Sequence, residues 1–326
     1  MPQATNSGKT VAKAHPPELS PAPENLNGRL RIWESGGVQN LNPSFWSFDM
    51  TQALASRFAS KSPTLRADHP LSDDQIAAVA PSIYAAAAHD NRSERYAYIA
   101  TRVILDQLRS KGFQPFMVAQ TRVRNEGRRD YTKHMLRLRH PSQIDAGEAN
   151  EIILLNSHDG TSSYQMLAGM YRFVCKNGMV IGDTIEDVRI PHKGDVALEV
   201  VQTAHTILER FRLAEESRDT MRTINVAPAE ATVLARAALQ LRYDDTDKPA
   251  PVTEAQVLTP RRWEDRGSDL WSVFNRLQEN LVRGGLAGRS ANGRSTQTRE
   301  VRGIDQNVKL NRALWTLAEG MRALKA

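Results

Sequence analysis

The sequence contains a single cysteine, Cys175, so no internal disulfide bond can form. It has no continuous run of the ~18 to 20 apolar residues that a membrane-spanning helix requires. The first 28 residues also have no apolar segment of the kind found in secretory signals. These absences predict a cytosolic protein with no membrane partner.

Cofactor motifs are missing as well. The string SGKT at residues 7–10 imitates the end of a phosphate-binding loop, but Gln3 stands where that motif needs a glycine. The eight histidines show neither the HExxH pattern nor a zinc-binding spacing with cysteine. We therefore expect no nucleotide or metal cofactor, and we expect His134 and His140 to occupy core or edge positions.

The composition is that of a folded protein with some disorder. Of 326 residues, 40% are hydrophobic and 25% are charged, which is ordinary for a globular chain. Residues 1–28 are rich in Pro, Ala, Ser and Asn without periodicity, which predicts a disordered leader. The charged, proline-containing string YDDTDKPAPVTEAQ predicts a boundary near residue 250. We expect an α+β core domain over residues 29–250 and a helical C-terminal region over residues 251–326.

Alternating apolar residues predict an antiparallel sheet. Residues 116–124 and 131–140 alternate and are joined by NEGRRD, which is typical of a β-hairpin. A third strand is expected at EIILLNS, and a fourth from SYQMLAGMYRFVC to NGMVIG. A long helix over residues 195–222 follows, so we predict an α+β fold in which this helix packs on about four strands. Further helices are expected from Ser72 to a break at Pro81, and over residues 93–110, 228–241, 268–282 and 305–323.

Positive charge is concentrated in the predicted hairpin. Residues 102–140 carry ten basic and three acidic side chains. If the apolar faces of both strands point inward, five basic residues share the outward face and two more lie on the connecting loop. The five are Arg122, Arg124, Lys133, Arg137 and Arg139, and the two are Arg128 and Arg129. Such a basic ribbon would attract a polyanion, with Phe113, Phe116 and Tyr131 as possible stacking platforms for bases.

A second basic block lies near the C-terminus. Residues 257–326 carry thirteen basic and seven acidic side chains, whereas the intervening residues 141–256 carry eleven and eighteen. The string RGGLAGRSANGRSTQTREVRG has few apolar residues that could pack, and its composition favours a mobile basic arm. Its candidate phosphate-binding residues are Arg289, Arg294 and Arg299.

The string NSHDG at residues 156–160 has the residue types of a catalytic triad. Consecutive side chains of an extended segment point to opposite faces, so His158 is not expected to relay between Ser157 and Asp159. Asp159 and Gly160 between two apolar strands instead indicate a turn. Cys175 lies in an apolar strand and is expected to be a buried small side chain rather than a nucleophile.

Several strings together resemble a known family. APSIYAAAAHDNRSERYAYI, LRSKGFQPF, TKHMLRLRH, LLNSHDGTSSYQMLAGMYRFVCKNGMVIG and LWSVFNRLQENLVRGG are similar to the domain-of-unknown-function family 932 over residues 70–325. This resemblance implies a setting on plasmids and prophages, and it supplies no reaction. The order of strands and helix is also similar to single-strand annealing recombinases of the Rad fifty-two type, which implies rings that hold single-stranded DNA.

The sequence thus favours a nucleic-acid-binding protein that is not an enzyme. We expect sequence-independent binding, with single-stranded DNA as the favoured partner, by a homo-oligomer that anneals or protects the strand. Two alternatives stay open. Asp183, Glu186 and Asp187 could serve a metal-dependent nuclease, or the basic surface could capture an acidic protein.

Overall fold

The structure of the protein is a computed structural model that describes residues 63–91, 98–144, 147–174, 176–181, 188–190, 196–243 and 249–325. The predicted leader, residues 1–28, lies outside these ranges. So do Cys175 and the carboxylates Asp183, Glu186 and Asp187, so the predictions made for them stay predictions.

The fold is α+β, as the sequence predicts, and its main sheet is antiparallel throughout. Among the described residues this sheet has seven strands instead of about four. Its strands are β1 (Thr64–Arg66), β2 (Gln114–Gln120), β3 (His134–Ile144), β4 (Glu148–Asn156), β5 (Tyr164–Arg172), β6 (Asn177–Val180) and β7 (Val188–Ile190).

The strand order follows the chain from β1 to β6. The predicted fourth strand is in fact two, because the chain turns after Arg172 and returns as β6. Residues 169–172 of β5 pair with β6, and residues 164–166 of the same strand pair with β7. The short strands β1 and β7 carry too few alternating residues for the sequence pattern to reveal them.

Seven α-helices are present in the described ranges. They are α1 (Asp73–Val79), α2 (Thr101–Ser110), α3 (Val196–Thr223), α4 (Pro228–Arg242), α5 (Glu254–Leu258), α6 (Leu270–Arg283) and α7 (Ile304–Lys325). The predicted capping box is confirmed, since the Gln75 amide donates to the Ser72 hydroxyl and the Ser72 amide donates to the Gln75 side chain. The predicted break is confirmed too, because a 3-10 helix follows α1 at Pro81–Tyr84.

Both faces of the sheet are buried. Val118, Leu136 and Leu154 line up across β2, β3 and β4 and belong to the larger hydrophobic cluster, which includes residues of α2 and α3. The opposite face forms a smaller cluster that includes the first turns of α7 through Ile304 and Val308. The sheet residues of this smaller cluster are Met117, Ala119, Met135, Ile153, Leu155, Leu167 and Val180. Because both faces of the sheet are covered, the alternation of residue types along a strand cannot show which side chains are exposed to solvent.

Candidate nucleic-acid interface

The predicted hairpin exists, and its connection carries the exposed arginines. Strands β2 and β3 pair antiparallel with Val118 opposite Leu136. Residues 121–133 between them contain a second 3-10 helix, Glu126–Tyr131. We call the basic side chains of this connection the loop arginines. They are Arg122, Arg124, Arg128 and Arg129, and Arg122, Arg124 and Arg129 are exposed.

Hydrogen bonds from side chains to backbone carbonyls hold this connection against the sheet. The side-chain amide of Gln120 donates to the Arg129 carbonyl at 2.8 Å, and the Thr132 hydroxyl donates to the Thr121 carbonyl at 3.2 Å. Asn125 caps the 3-10 helix by accepting from the Gly127 amide at 3.0 Å. The backbone is therefore anchored while three of the four guanidinium groups face solvent.

The fourth loop arginine contacts the turn NSHDG. The side chain of Arg128 is 39% exposed, and its Nη2 lies 3.8 Å from the Asp159 carboxylate. That carboxylate also accepts from the amide and hydroxyl of Thr161 at 3.0 and 2.6 Å, which closes the turn around Gly160. Burial opposes ionisation of Asp159, but the hydrogen bonds from Thr161 and Ser157 and the charge of Arg128 hold its pKa below the ordinary value.

His158 of the same turn is fully buried. Its ring lies between the rings of Tyr98 and His134, at centroid distances of 4.9 and 5.3 Å. The backbone amide of His158 donates to the Tyr131 carbonyl at 2.8 Å, which fastens the turn to the loop. The predicted turn between β4 and β5 is confirmed, and its role here is to support the basic connection from beneath.

His134 forms the centre of a buried polar network below the loop. Its two ring nitrogens lie 2.8 Å from the Ser82 hydroxyl and 2.9 Å from the Thr101 hydroxyl, and Thr101 also accepts from Asn156 at 3.0 Å. Burial, reinforced by the nearby His158, lowers the pKa of His134 to about 3. The imidazole is therefore neutral at physiological pH, and the predicted core position of His134 is confirmed.

The prediction that Arg137 and Arg139 share an outward face is wrong. Both side chains are almost completely buried, and both donate from Nε to the carboxylate of Glu151 on β4. The register explains this, because Arg137 pairs with Met117 on one side and Ile153 on the other, on the face that carries the smaller cluster. These two arginines stabilise the sheet interior and are not available to a ligand.

Small residues make the space that these guanidinium groups occupy. A Cβ atom on Gly178 would lie 2.5 Å from Cζ of Arg137, and one on Gly169 would lie 2.9 Å from its Nη2. Nη2 of Arg137 donates to the Met179 carbonyl at 2.6 Å. Arg139 lies against aromatic rings, with its Cζ 3.9 Å from the centre of Tyr171 and 4.5 Å from that of Phe116.

Lys133 is also removed from the predicted basic face. It is 14% exposed, and its Nζ lies 2.7 Å from Oδ1 of Asp305 in the first turn of α7. This contact joins the end of the loop to the start of α7, which directly follows the string RGGLAGRSANGRSTQTREVRG.

The second basic segment is a hairpin and not an arm without structure. Strands β8 (Ala287–Arg289) and β9 (Ser295–Gln297) pair antiparallel. The Arg289 amide donates to the Pro251 carbonyl at 2.8 Å, and the Gln256 side chain donates to the Ala287 carbonyl at 2.7 Å. The composition of this segment, rich in Gly and Arg, does not predict a hairpin. Backbone hydrogen bonds hold the hairpin in place, and they leave no side-chain pattern in the sequence.

The three arginines of this hairpin segment are exposed. We call them the hairpin arginines, and they are Arg289, Arg294 and Arg299. Arg289 donates to the Gly293 carbonyl across the turn at 3.3 Å, and the carbonyl of Arg299 accepts from Arg242 at 3.2 Å. The segment thus presents its charges from a fixed backbone.

The aromatic residues predicted to stack on bases are less exposed than the loop and hairpin arginines. Phe113 and Phe116 are buried, and Tyr131 is partly buried with its ring 5.0 Å from that of His89. An aromatic side chain that the sequence reasoning missed, Trp263, is exposed instead. Its signal in the sequence is the string RRWEDR, where a tryptophan lies among arginines outside any apolar periodicity.

With this geometry established, comparisons place the chain in a family. A family model described as a domain of unknown function, DUF932, matches residues 88–315. The chain belongs to this family, which confirms the resemblance found in its sequence strings.

Two proteins of Escherichia coli (strain K12) are similar to this chain. The UPF0380 protein YafZ is 52% identical over 268 residues, which cover 82% of this chain and 97% of the relative. The UPF0380 protein YfjQ is 53% identical over 266 residues, which cover 82% and 96%. No solved structure matches the chain. Within the described ranges, no helix combines the length and apolar character that crossing a membrane requires.

Proposed function

We propose that the protein binds single-stranded nucleic acid, with DNA as the favoured partner, through the loop arginines and the hairpin arginines. Binding does not depend on sequence, and a homo-oligomer anneals or protects the bound strand. The observation that carries this proposal is the absence of carboxylate partners at six exposed arginines. Within the described part of the chain, no carboxylate lies within 4 Å of Arg122, Arg124, Arg129, Arg289, Arg294 or Arg299.

Several exposed arginines elsewhere on the protein are neutralised locally. Arg102 pairs with Asp106, Arg212 with Glu216, and Arg236 with Glu254, although all three arginines are more than 60% exposed. The six guanidinium groups without a carboxylate partner in the described ranges carry positive charge that no nearby carboxylate there offsets, which favours a polyanion and raises its association rate. Phosphates neutralised by arginine release counterions, so affinity of this kind falls steeply with salt.

Arginine also favours an unpaired strand. Its planar guanidinium group donates to phosphate oxygens and stacks on the faces of unpaired bases. A duplex hides those faces within the base stack, so the same surface gains less from it. The oligomeric form in this proposal follows the likeness to annealing recombinases described above.

A titration with labelled oligonucleotides tests the proposal. Single-stranded and duplex DNA of equal length are titrated at several salt concentrations, with and without Mg²⁺, while the particle mass is measured. We expect tighter binding of the single strand, a steep dependence on salt, intact DNA and a particle larger than a monomer. Removal of the six unpaired arginines should abolish binding at ~150 mM salt.

Other results would support the alternatives. No binding of either DNA at ~50 mM salt would overturn the proposal and favour an acidic protein partner. Cleavage that requires Mg²⁺ and is lost in Asp183→Ala would favour the nuclease.

A further inference from the structure

Trp263 is exposed in a position where a tryptophan has no packing role. It lies in the connection between α5 and α6 and is 74% exposed, whereas Trp271 and Trp315 are each 3% exposed. Large aromatic side chains normally contribute most by burial, so an exposed indole with unpaired basic residues beside it is a candidate contact for a ligand.

The backbone on both sides of Trp263 is fixed by polar contacts. Nε of Arg261 donates to Oδ1 of Asn280 at 2.6 Å, and the Asn280 side chain donates to the Thr259 carbonyl at 2.9 Å. On the other side, Asp265 is buried and accepts from Arg172 at 2.9 Å. The indole therefore extends from an anchored turn, which lowers the entropy lost when it contacts a ligand.

The surroundings of the indole are basic and adjoin the hairpin segment. Arg261 also donates to the carbonyl of Gly284, which ends α6 three residues before β8 begins. Arg261 and Arg266 have no carboxylate within 4 Å among the residues that the structure describes, while Glu279 pairs with Arg262 and Arg283. Glu264 is the one exposed acid within three residues of Trp263. This charge complements a phosphate backbone that runs past the hairpin arginines.

We propose that Trp263 stacks on an unpaired base of a nucleic-acid strand held by the hairpin arginines. This inference rests on the proposed function and names the residue that reads the base face instead of the phosphate. Stacking on an aromatic side chain tolerates any base, which agrees with binding that does not depend on sequence.

A thermodynamic cycle tests the inference directly. Wild-type protein and Trp263→Ala are each titrated with a thymidine oligomer and with an abasic oligomer of equal length, so that the phosphate count is constant. We expect Trp263→Ala to weaken thymidine binding about tenfold, with the salt slope unchanged, and to leave abasic binding unaltered. Trp263→Phe should retain part of the affinity, and Leu213→Ala, which removes another exposed apolar side chain, should retain all of it.

The outcomes separate this inference from the function on which it rests. Wild-type binding with a steep salt slope and an unchanged affinity in Trp263→Ala would overturn the stacking role alone. An equal loss on both oligomers would also overturn it, because the effect would not involve a base. A smaller particle mass in Trp263→Ala with unchanged affinity would assign the indole to contact between copies of the chain. No binding by the wild-type protein would overturn both proposals.

Discussion

The hairpin formed by β2 and β3 contains two sets of arginines with opposite environments. Arg137 and Arg139 are buried and share the carboxylate of Glu151. Arg122 and Arg124, fewer than twenty residues away, are exposed and have no carboxylate partner among the residues that the structure describes. The sequence presents all four as members of one basic ribbon. The comparison shows that a carboxylate of the same fold can occupy a basic residue of this hairpin, so positive charge in the sequence does not by itself indicate a ligand.

The largest expected effect comes from the buried set. Arg137→Ala leaves the carboxylate of Glu151 in the sheet interior with one of its two partners, so we expect the free energy of unfolding to fall by about 3 to 5 kcal/mol. Urea unfolding followed by circular dichroism measures this change. Arg122→Ala on the same hairpin is the matched control, with an expected change within about 0.5 kcal/mol. Equal free energies of unfolding for the two variants would contradict the distinction between the buried, paired arginines and the exposed ones.

A second effect concerns the space that the buried set occupies. Gly178→Ala places a Cβ atom 2.5 Å from Cζ of Arg137, so the guanidinium must shift away from its partners. We expect a loss of about 1 to 3 kcal/mol in the free energy of unfolding. Gly320→Ala in α7 has nothing within 4 Å of the new methyl group and should stabilise the protein by about 0.5 to 1 kcal/mol. A loss in Gly320→Ala as large as that in Gly178→Ala would contradict this interpretation.

A third effect concerns the polar network beneath the loop. The pKa of His134 is about 3 in the folded protein, so below its ordinary value of ~6.5 the unfolded chain binds a proton that the folded chain does not. The free energy of unfolding should therefore fall as the pH is lowered through this window, by about 2 kcal/mol between pH 6.5 and 5. Denaturant unfolding at several pH values measures the slope, and His134→Gln should flatten it. An unchanged slope in that variant would show that other groups titrate.

Acidic pH should also weaken the buried ion pairs, at a lower range. Burial alone would raise the pKa of Glu151, but Arg137 and Arg139 hold it below the ordinary carboxyl value. The contribution of Glu151 to stability is present above that ordinary value and is lost as the pH falls through the lowered pKa. Measurements between pH 5 and 6.5 therefore report His134 with little interference from this carboxylate.

The sequence predicts the elements of this fold better than the environment of their side chains. The capping box of Ser72 and Gln75, the β2–β3 hairpin and the turn at Asp159 depend on local residues, and all three are confirmed. The cap expected at Ser268 is wrong, because Asp269 caps α6. The burial of Arg137 depends on Glu151, fourteen positions away on the next strand, and on the register that brings them together. Alternation could not reveal it, because both faces of the sheet are covered. An acid within the apolar string EIILL was the available signal.

Features of the candidate interface also differ in how well the sequence predicts them. Arg122, Arg124 and Arg129 are exposed, as predicted. The predicted strand position of Arg122 and Arg124 is wrong, because β2 ends at Gln120 and both residues lie in the connection. Composition did not predict that Arg289 and Arg294 lie in an ordered hairpin, since backbone contacts with Pro251 anchor it. Trp263 follows no apolar periodicity, and a pattern of charged residues does not predict the exposure of a single indole.

The central claim is that unpaired arginines, and not basic charge in general, bind nucleic acid. Two triple variants with the same change in net charge test it. One replaces Arg122, Arg124 and Arg129 by alanine, and the other replaces the exposed but paired Arg102, Arg212 and Arg236.

The measurement is the slope of log Kobs against log salt concentration for a single-stranded oligonucleotide. We predict that the loop variant reduces the magnitude of this slope by about 2, since each lost phosphate contact contributes about 0.7. The paired variant should keep the wild-type slope. Equal slopes for the two variants, or a slope close to zero for the wild-type protein, would contradict the account.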